Sequence, residues 1–156
     1  MRNSLLYQFN FVRENTLNYV REIDDHWMEV VPRGLNNNIK WNLGHIYLIS
    51  EKLAFQLTGE VGNSPKELQE LFNSGTSPKE WKKEIPKKQE VLQLLREQLV
   101  RVESLLIDRT EDKLEKPYTT STGLELVTIG DCISFCLYHE GMHFSTIKNI
   151  NQILQK

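Results

Sequence analysis

Residues 128–154 read TIGDCISFCLYHEGMHFSTIKNINQIL, and the spacing of their apolar positions decides the fold class. Projected at about 3.6 residues per turn, Ile129, Cys132, Cys136, His139, His143, Ile147, Ile150 and Leu154 share one side. Steps of three and four over this length predict a long helix with one face against a core. Thr128-Ile129-Gly130-Asp131 supplies its N-cap and an acidic first turn. Two imidazoles stand in the middle of the apolar stripe. Buried imidazoles need hydrogen-bond partners, and two of them one turn apart repel if both are protonated. A metal ion removes both problems: it takes lone pairs from neutral imidazoles, and histidines four apart on a helix point the same way.

Outward from this helix, three more segments carry the same period. The first runs from about Ser4 to Trp27, with Leu5, Phe9, Val12, Thr16, Val20, Ile23 and Trp27 as its stripe. The second runs from about Ile39 to Leu57 and stops before Thr58-Gly59. It is apolar round most of its circumference, with Lys40 and Glu51 as its clearest polar sector. Such a helix must be covered on more than one side, by the chain's own interior or by a partner subunit. The third, from about Pro86 to Ile107, has Val91, Leu94, Leu95, Gln98, Leu99, Val102, Leu105 and Leu106 as its stripe. Between the second and third lies a long connection with two helix-start signals, Ser64-Pro65 and Ser77-Pro78, and a short helix ending at Phe72. The stretch from Asp108 to Thr128, with Pro117, Gly123 and a Thr/Ser cluster, reads as a linker. The expected fold is all-α, one domain over residues 1–156: a four-helix bundle with a long crossover between helices two and three. An orthogonal array of helices is the competing arrangement.

The string His139-Glu140-Gly141-Met142-His143 fits the H-E-x-x-H pattern of zinc proteases. Those enzymes draw a third ligand from downstream, but no His, Asp, Glu or Cys follows His143. The third ligand therefore comes from upstream, and His45 on the second helix is the candidate. His26, after Asp24-Asp25, reads as an exposed cation at a helix end. Cys136, one turn from His139, is either a fourth ligand or a small buried residue, and packing is the stronger of the two readings. Three protein ligands leave a coordination position open, the arrangement of a metal that acidifies water or a thiol. Glu140 is the candidate general base, with a solvated flank position as the alternative. Imidazole ligands suit zinc and nickel alike.

The 156 residues carry a net charge of −2, with Lys and Arg dispersed, so no basic stripe invites DNA or RNA. The N-terminal stretch has no secretory apolar core and no apolar run is long enough for a bilayer, so no membrane partner is expected. Cys132 and Cys136, four apart on one helix face, read as reduced thiols of a cytoplasmic protein.

The whole chain resembles the DinB-like superfamily of metal-binding helical bundle proteins. The resemblance rests on Trp41-x-x-Gly44-His45, on His139-x-x-x-His143, and on Gly75-Thr76-Ser77-Pro78-x-x-Trp81 in the crossover. It implies up-down-down-up topology, a zinc or nickel site on His45, His139 and His143 completed by water, and a homodimer. Relatives are described as metal-dependent hydrolases, and some as S-transferases of low-molecular-weight thiols. Many relatives carry Gly soon after the last histidine, whereas this chain has Phe144-Ser145. Two functions follow as expectations: a metal-dependent enzyme acting on a small molecule, or a non-catalytic, metal-stapled dimeric module for binding or stress response. Lys52, Tyr47, Tyr138 and Arg13 are candidate pocket residues.

Overall fold

In the computed structural model, which describes residues 3–156, the Asn3 side chain accepts a hydrogen bond from Leu6 N–H and opens helix α1, Ser4–Arg21. The expected domain includes residues 1 and 2, which lie outside the described residues. The first helix was expected to reach Trp27 but stops at Arg21. Asp24 ends it. Its carboxylate accepts from the His26 N–H and starts a separate 3-10 turn, Asp25–Trp27, a competition that short polar side chains often win. Helix α2, Ile39–Ala54, starts at Asn38, whose side chain accepts from Trp41 N–H at 2.8 Å. The crossover holds a short helix α3, Lys66–Phe72, and a 3-10 turn, Pro78–Glu80, capped by Ser77. Helix α4 spans Lys88–Leu106 and helix α5 spans Ile129–Leu154.

The linker expected between Asp108 and Thr128 is instead an antiparallel β-ribbon, the one departure from an all-α chain among the described residues. Strand β1, Lys113–Thr119, pairs with β2, Glu125–Thr128, with Tyr118 opposite Leu126. A break in register between Lys113 and Tyr118 accommodates Pro117, which has no N–H for a ladder. The turn closes on Thr120, whose hydroxyl accepts from Leu124 N–H at 3.0 Å, and Gly123 supplies φ +91°. Only Leu114 and Leu126 of the strands are fully buried, so period-2 alternation was too sparse to reveal the ribbon.

The four long helices make one packing unit: α1 and α2 each lie against both α4 and α5, and α3 lies against α2. Two hydrophobic clusters fill the interior. One includes Leu17, Val20, Ile39, Ile46, Leu95 and Ile147. The other includes Leu6, Phe9, Leu53, Leu99, Ile133 and Cys136, and it takes in Leu114 and Leu126 of the ribbon. A buried polar layer separates them along each helix: Arg13 on α1, Ser50 and Glu51 on α2, Gln98 on α4 and Glu140 on α5. Arg13 and Glu140 form an ion pair at 3.0 Å with side chains 0% and 1% exposed. Arg13 also donates to the Leu95 carbonyl and to Gln98. Cys132 and Cys136 are free thiols inside the second cluster, where burial pushes them up to about 11 and about 12.

Helix α2 is covered from within the chain, by α3, α4 and α5. Its expected polar sector does not face water. Lys40 pairs with Glu29, and Glu51, 0% exposed, accepts from Gln98, Arg101 and the Asn63 N–H. Charges this deep are tolerated because each has a partner. No helix among the described residues is long and apolar enough to cross a membrane.

The start of α5 carries a testable pH dependence. The Asp131 carboxylate accepts from Val127 N–H at 2.9 Å and Thr128 N–H at 2.8 Å, and these bonds hold its pKa below the ordinary 3.8. A depressed folded-state pKa means folding favours the ionised form. Its contribution is complete above the unfolded value and is lost as pH falls through the folded one. We expect Asp131→Ala to lower stability by about 1 kcal/mol at neutral pH. In urea titrations the gap from wild type should close below about pH 4; a gap constant into stronger acid would refute this account.

Candidate metal centre

His45 on α2 and His139 and His143 on α5 meet where these two helices face each other. Their ring centroids are 5.1 Å (His45–His139), 4.9 Å (His45–His143) and 4.5 Å (His139–His143) apart. One nitrogen from each ring lies within 4.8 Å of the others. His45 and His139 are buried, and His143 is partly exposed.

Hydrogen bonds at the far side of two rings decide which nitrogen is free. The His45 Nδ1 is 2.8 Å from the Phe72 carbonyl oxygen, which can only accept, so Nδ1 carries the proton and Nε2 keeps its lone pair. The His143 Nδ1 is 2.8 Å from the Asn42 Oδ1. Asn42 spends its amide N–H on the Asn38 carbonyl at 2.8 Å, so its oxygen accepts and His143 is also left with a bare Nε2. The chain thus runs from the helix cap at Asn38 through Asn42 to His143. Such outer partners orient metal-binding imidazoles and raise their basicity.

The rings are also neutral. Burial, then the neighbouring His143 and His45, pushes His139 down to about 3. Burial, then His45, pushes His143 down to about 4. Burial lowers His45 as well, against the opposing pull of the Phe72 carbonyl. Neutral imidazoles with converging lone pairs are the donor set a borderline transition metal takes, so the residues present fit such an ion.

The crossover supports the site from outside. Trp41 stacks on His45, with centroids 4.7 Å apart and planes 11° from parallel, and its indole N–H donates to the Thr76 hydroxyl at 2.8 Å. Trp81 donates to the Leu71 carbonyl at 3.0 Å and meets the Phe72 ring edge-to-face. Phe72 packs this close to α2 because residue 44 is glycine: a Cβ there would lie 2.3 Å from the Phe72 Cγ. We expect Gly44→Ala to cost about 1–3 kcal/mol through overpacking and to shift the carbonyl that holds His45. Gly141→Ala is the matched control, since a Cβ at that helical position meets nothing within 4 Å. It should stabilise the helix by up to about 1 kcal/mol. Thermal melts of both variants check the pair, and equal effects would contradict the close approach.

A cavity of about 390 Å³ opens beside the histidines, with Ile49, Leu53, Phe135 and Met142 among its apolar walls. The β-ribbon closes one side with Tyr118 and the Thr120-Ser121-Thr122 turn. Of the candidate pocket residues, Lys52 and Tyr138 line this cavity, whereas Tyr47 and Arg13 do not. The Tyr47 hydroxyl donates to the Asn63 carbonyl at 2.8 Å, and Arg13 is sealed in the polar layer. Glu140 is not brought to the cavity either: both its oxygens accept from Arg13. Cys136 packs in the second hydrophobic cluster, and His26 lies exposed beside Asp24 at 2.6 Å. Sequence reasoning did not find Asn42, the Phe72 carbonyl or the ribbon. Asn42 stood inside the Trp41–His45 string and could have been read as an outer partner, but a backbone carbonyl leaves no signal in the sequence.

The fold has known counterparts. A family model described as the DinB superfamily matches residues 8–147. No curated protein matches the chain. The crystal structure of a conserved protein from Enterococcus faecalis is similar with a TM-score of 0.73 at 13% identity, covering 100% of this chain and 99% of that one. At that identity the likeness speaks for the fold alone.

Proposed function

The chain belongs to the DinB superfamily, and from that premise we propose that it holds one divalent transition metal, zinc or nickel, on His45, His139 and His143. We further propose that it acts as a metal-dependent enzyme on a small molecule, as a hydrolase or as an S-transferase of a low-molecular-weight thiol. We read the four long helices as an up-down-down-up four-helix bundle with its crossover between α2 and α4, a reading supported by the way α1 and α2 each pack on α4 and α5.

One observation carries the functional reading. The three histidines form the border of a cavity large enough for a small ligand, and they are the one cluster of potential metal donors among the described residues. Bound there, the metal would supply Lewis acidity to an oxygen or sulfur in the cavity. The chain's own residues do the rest. Phe72 and Asn42 fix the ring orientations, Ile49, Leu53 and Phe135 exclude water from one side, and the ribbon hydroxyls offer donors to a ligand. Glu140 acts as a positioning residue that holds α5 to α1 through Arg13.

The test is elemental analysis of the purified protein, followed by cobalt substitution and titration with acetohydroxamate. One equivalent of metal and a visible spectrum that changes with the added ligand are expected. A spectrum insensitive to added ligands would favour the metal-stapled, non-catalytic module. Protein free of metal and unable to take it up would overturn the proposal.

A further inference from the structure

Lys52 stands in the cavity wall without a counter-charge. It is half-buried, and no carboxylate among the described residues pairs with it. Its Nζ donates to the Tyr118 hydroxyl at 2.8 Å and lies 4.4 Å from that ring's centroid. The tyrosine holds the ammonium in place without neutralising it. No Asp or Glu lines the cavity. The acidic residues nearby, Glu125 and Asp131, line a neighbouring cleft that shares Thr122, Phe135 and Tyr138 with it. The three imidazoles that also line the cavity add no negative charge.

From this arrangement we propose that the cavity selects an anionic small molecule, with a carboxylate or similar anion held by Lys52 and the ribbon hydroxyls while the opposite end faces the histidines. The inference rests on the metal reading for what sits at that opposite end. A divalent cation and an ammonium sharing a cavity with no acidic group make a site that only an anion balances. Thr120, Ser121 and Thr122 follow Tyr118, the partner of Lys52, along the ribbon and bring hydroxyls to the lining, while Ile49, Leu53 and Phe135 make part of it apolar.

The fold also sets a length. Lys52 follows His45 by seven residues, two turns on the same face, a rise of about 10 Å along α2. Both side chains lean toward the N-terminus, so the offset persists at their heads. A metal–oxygen bond of about 2 Å and a hydrogen bond of about 2.8 Å would take up its ends, leaving roughly 5–6 Å for the ligand. That suits a chain of two to four methylenes between the end facing the histidines and the anion.

The probes are the monohydroxamates of succinate, glutarate and adipate, each beside the isostere whose free carboxylate is replaced by a primary amide. They are titrated calorimetrically into the zinc-loaded full-length protein and into Lys52→Met. Wild type is expected to prefer acid over amide by at least about tenfold, as a charge-assisted hydrogen bond gives, with one chain length favoured. Lys52→Met should bring that preference close to unity with zinc content unchanged. Equal affinity for acid and amide in wild type, or a preference that survives Lys52→Met, overturns the inference. If wild type takes up no zinc, the metal proposal fails by itself, and the same acid–amide pairs are followed by NMR on the metal-free protein. Acid-specific shifts at Thr120–Thr122 that Lys52→Met removes support the inference, and their absence overturns it.

Discussion

His139→Ala is expected to leave the protein unable to retain metal. His139 is the most buried of the three rings after His45 and sits against both others, at 5.1 Å and 4.5 Å between centroids. Its loss leaves one imidazole on α2 and one on α5, with no third donor beside them among the described residues. Removing an outer partner of a metal ligand typically weakens metal affinity about 10–100-fold, and removal of the ligand itself should exceed the upper end of that range. Asn42→Leu gives the internal scale: it leaves all three imidazoles but strips the acceptor from His143, so about 10–100-fold is expected there. Competition with a coloured chelator measures both. His26→Ala, at an exposed residue paired with Asp24 and outside the cluster, should match wild type. Equal affinities for His139→Ala and His26→Ala would remove the three-histidine centre from consideration.

Arg13→Ala is expected to be the most destabilising single change in the core. The guanidinium is 0% exposed and answers Glu140, Gln98 and the Leu95 carbonyl together. Its removal leaves the Glu140 carboxylate buried without a cation, a situation that costs about 3–5 kcal/mol. Domains of this size hold only about 5–15 kcal/mol in total, so the variant should lie near the edge of folding. The double variant Arg13→Met/Glu140→Leu separates the pair's net contribution from the cost of orphaning one charge. Replacing both partners with apolar residues is often neutral or stabilising. Here recovery should be partial, because Gln98 and the Leu95 carbonyl also lose a donor. Urea unfolding of the three proteins is the measurement; a single-variant loss below about 1 kcal/mol would mean that water enters the layer and solvates Glu140.

Arg13 also shows where sequence reading reached its limit. The stripe of α5 was legible because eight positions repeat at helical spacing, and His139 and His143 came with it. His45 followed from the lack of a downstream ligand. Glu140 was readable only as part of a motif, and the motif suggested a base facing the metal. Its actual direction depends on Arg13, 127 residues earlier in the chain, and no local pattern announces a pairing over that distance. Lys40 and Glu51 misled for the same reason: a charge on a helix implies solvent only when no partner waits inside. The ribbon escaped because its strands bury little and its Pro117 argued against a strand. Helix existence, by contrast, was set by many weak signals that agreed, and α4 and α5 fell within two residues of the expected bounds.

The two thiols of α5 have a practical consequence. Cys132 and Cys136 are sealed among apolar side chains, and burial keeps both protonated far above neutrality, so an alkylating reagent finds neither the access nor the thiolate it requires. Each modification event must therefore wait for the helices around them to part. The protein carries its own gauge: where reclosing outpaces capture, the pace at which these sulfurs react reports the fraction of time the assembly is open, and comparing that pace before and after metal is added would measure how firmly an ion on the three histidines ties α2 to α5.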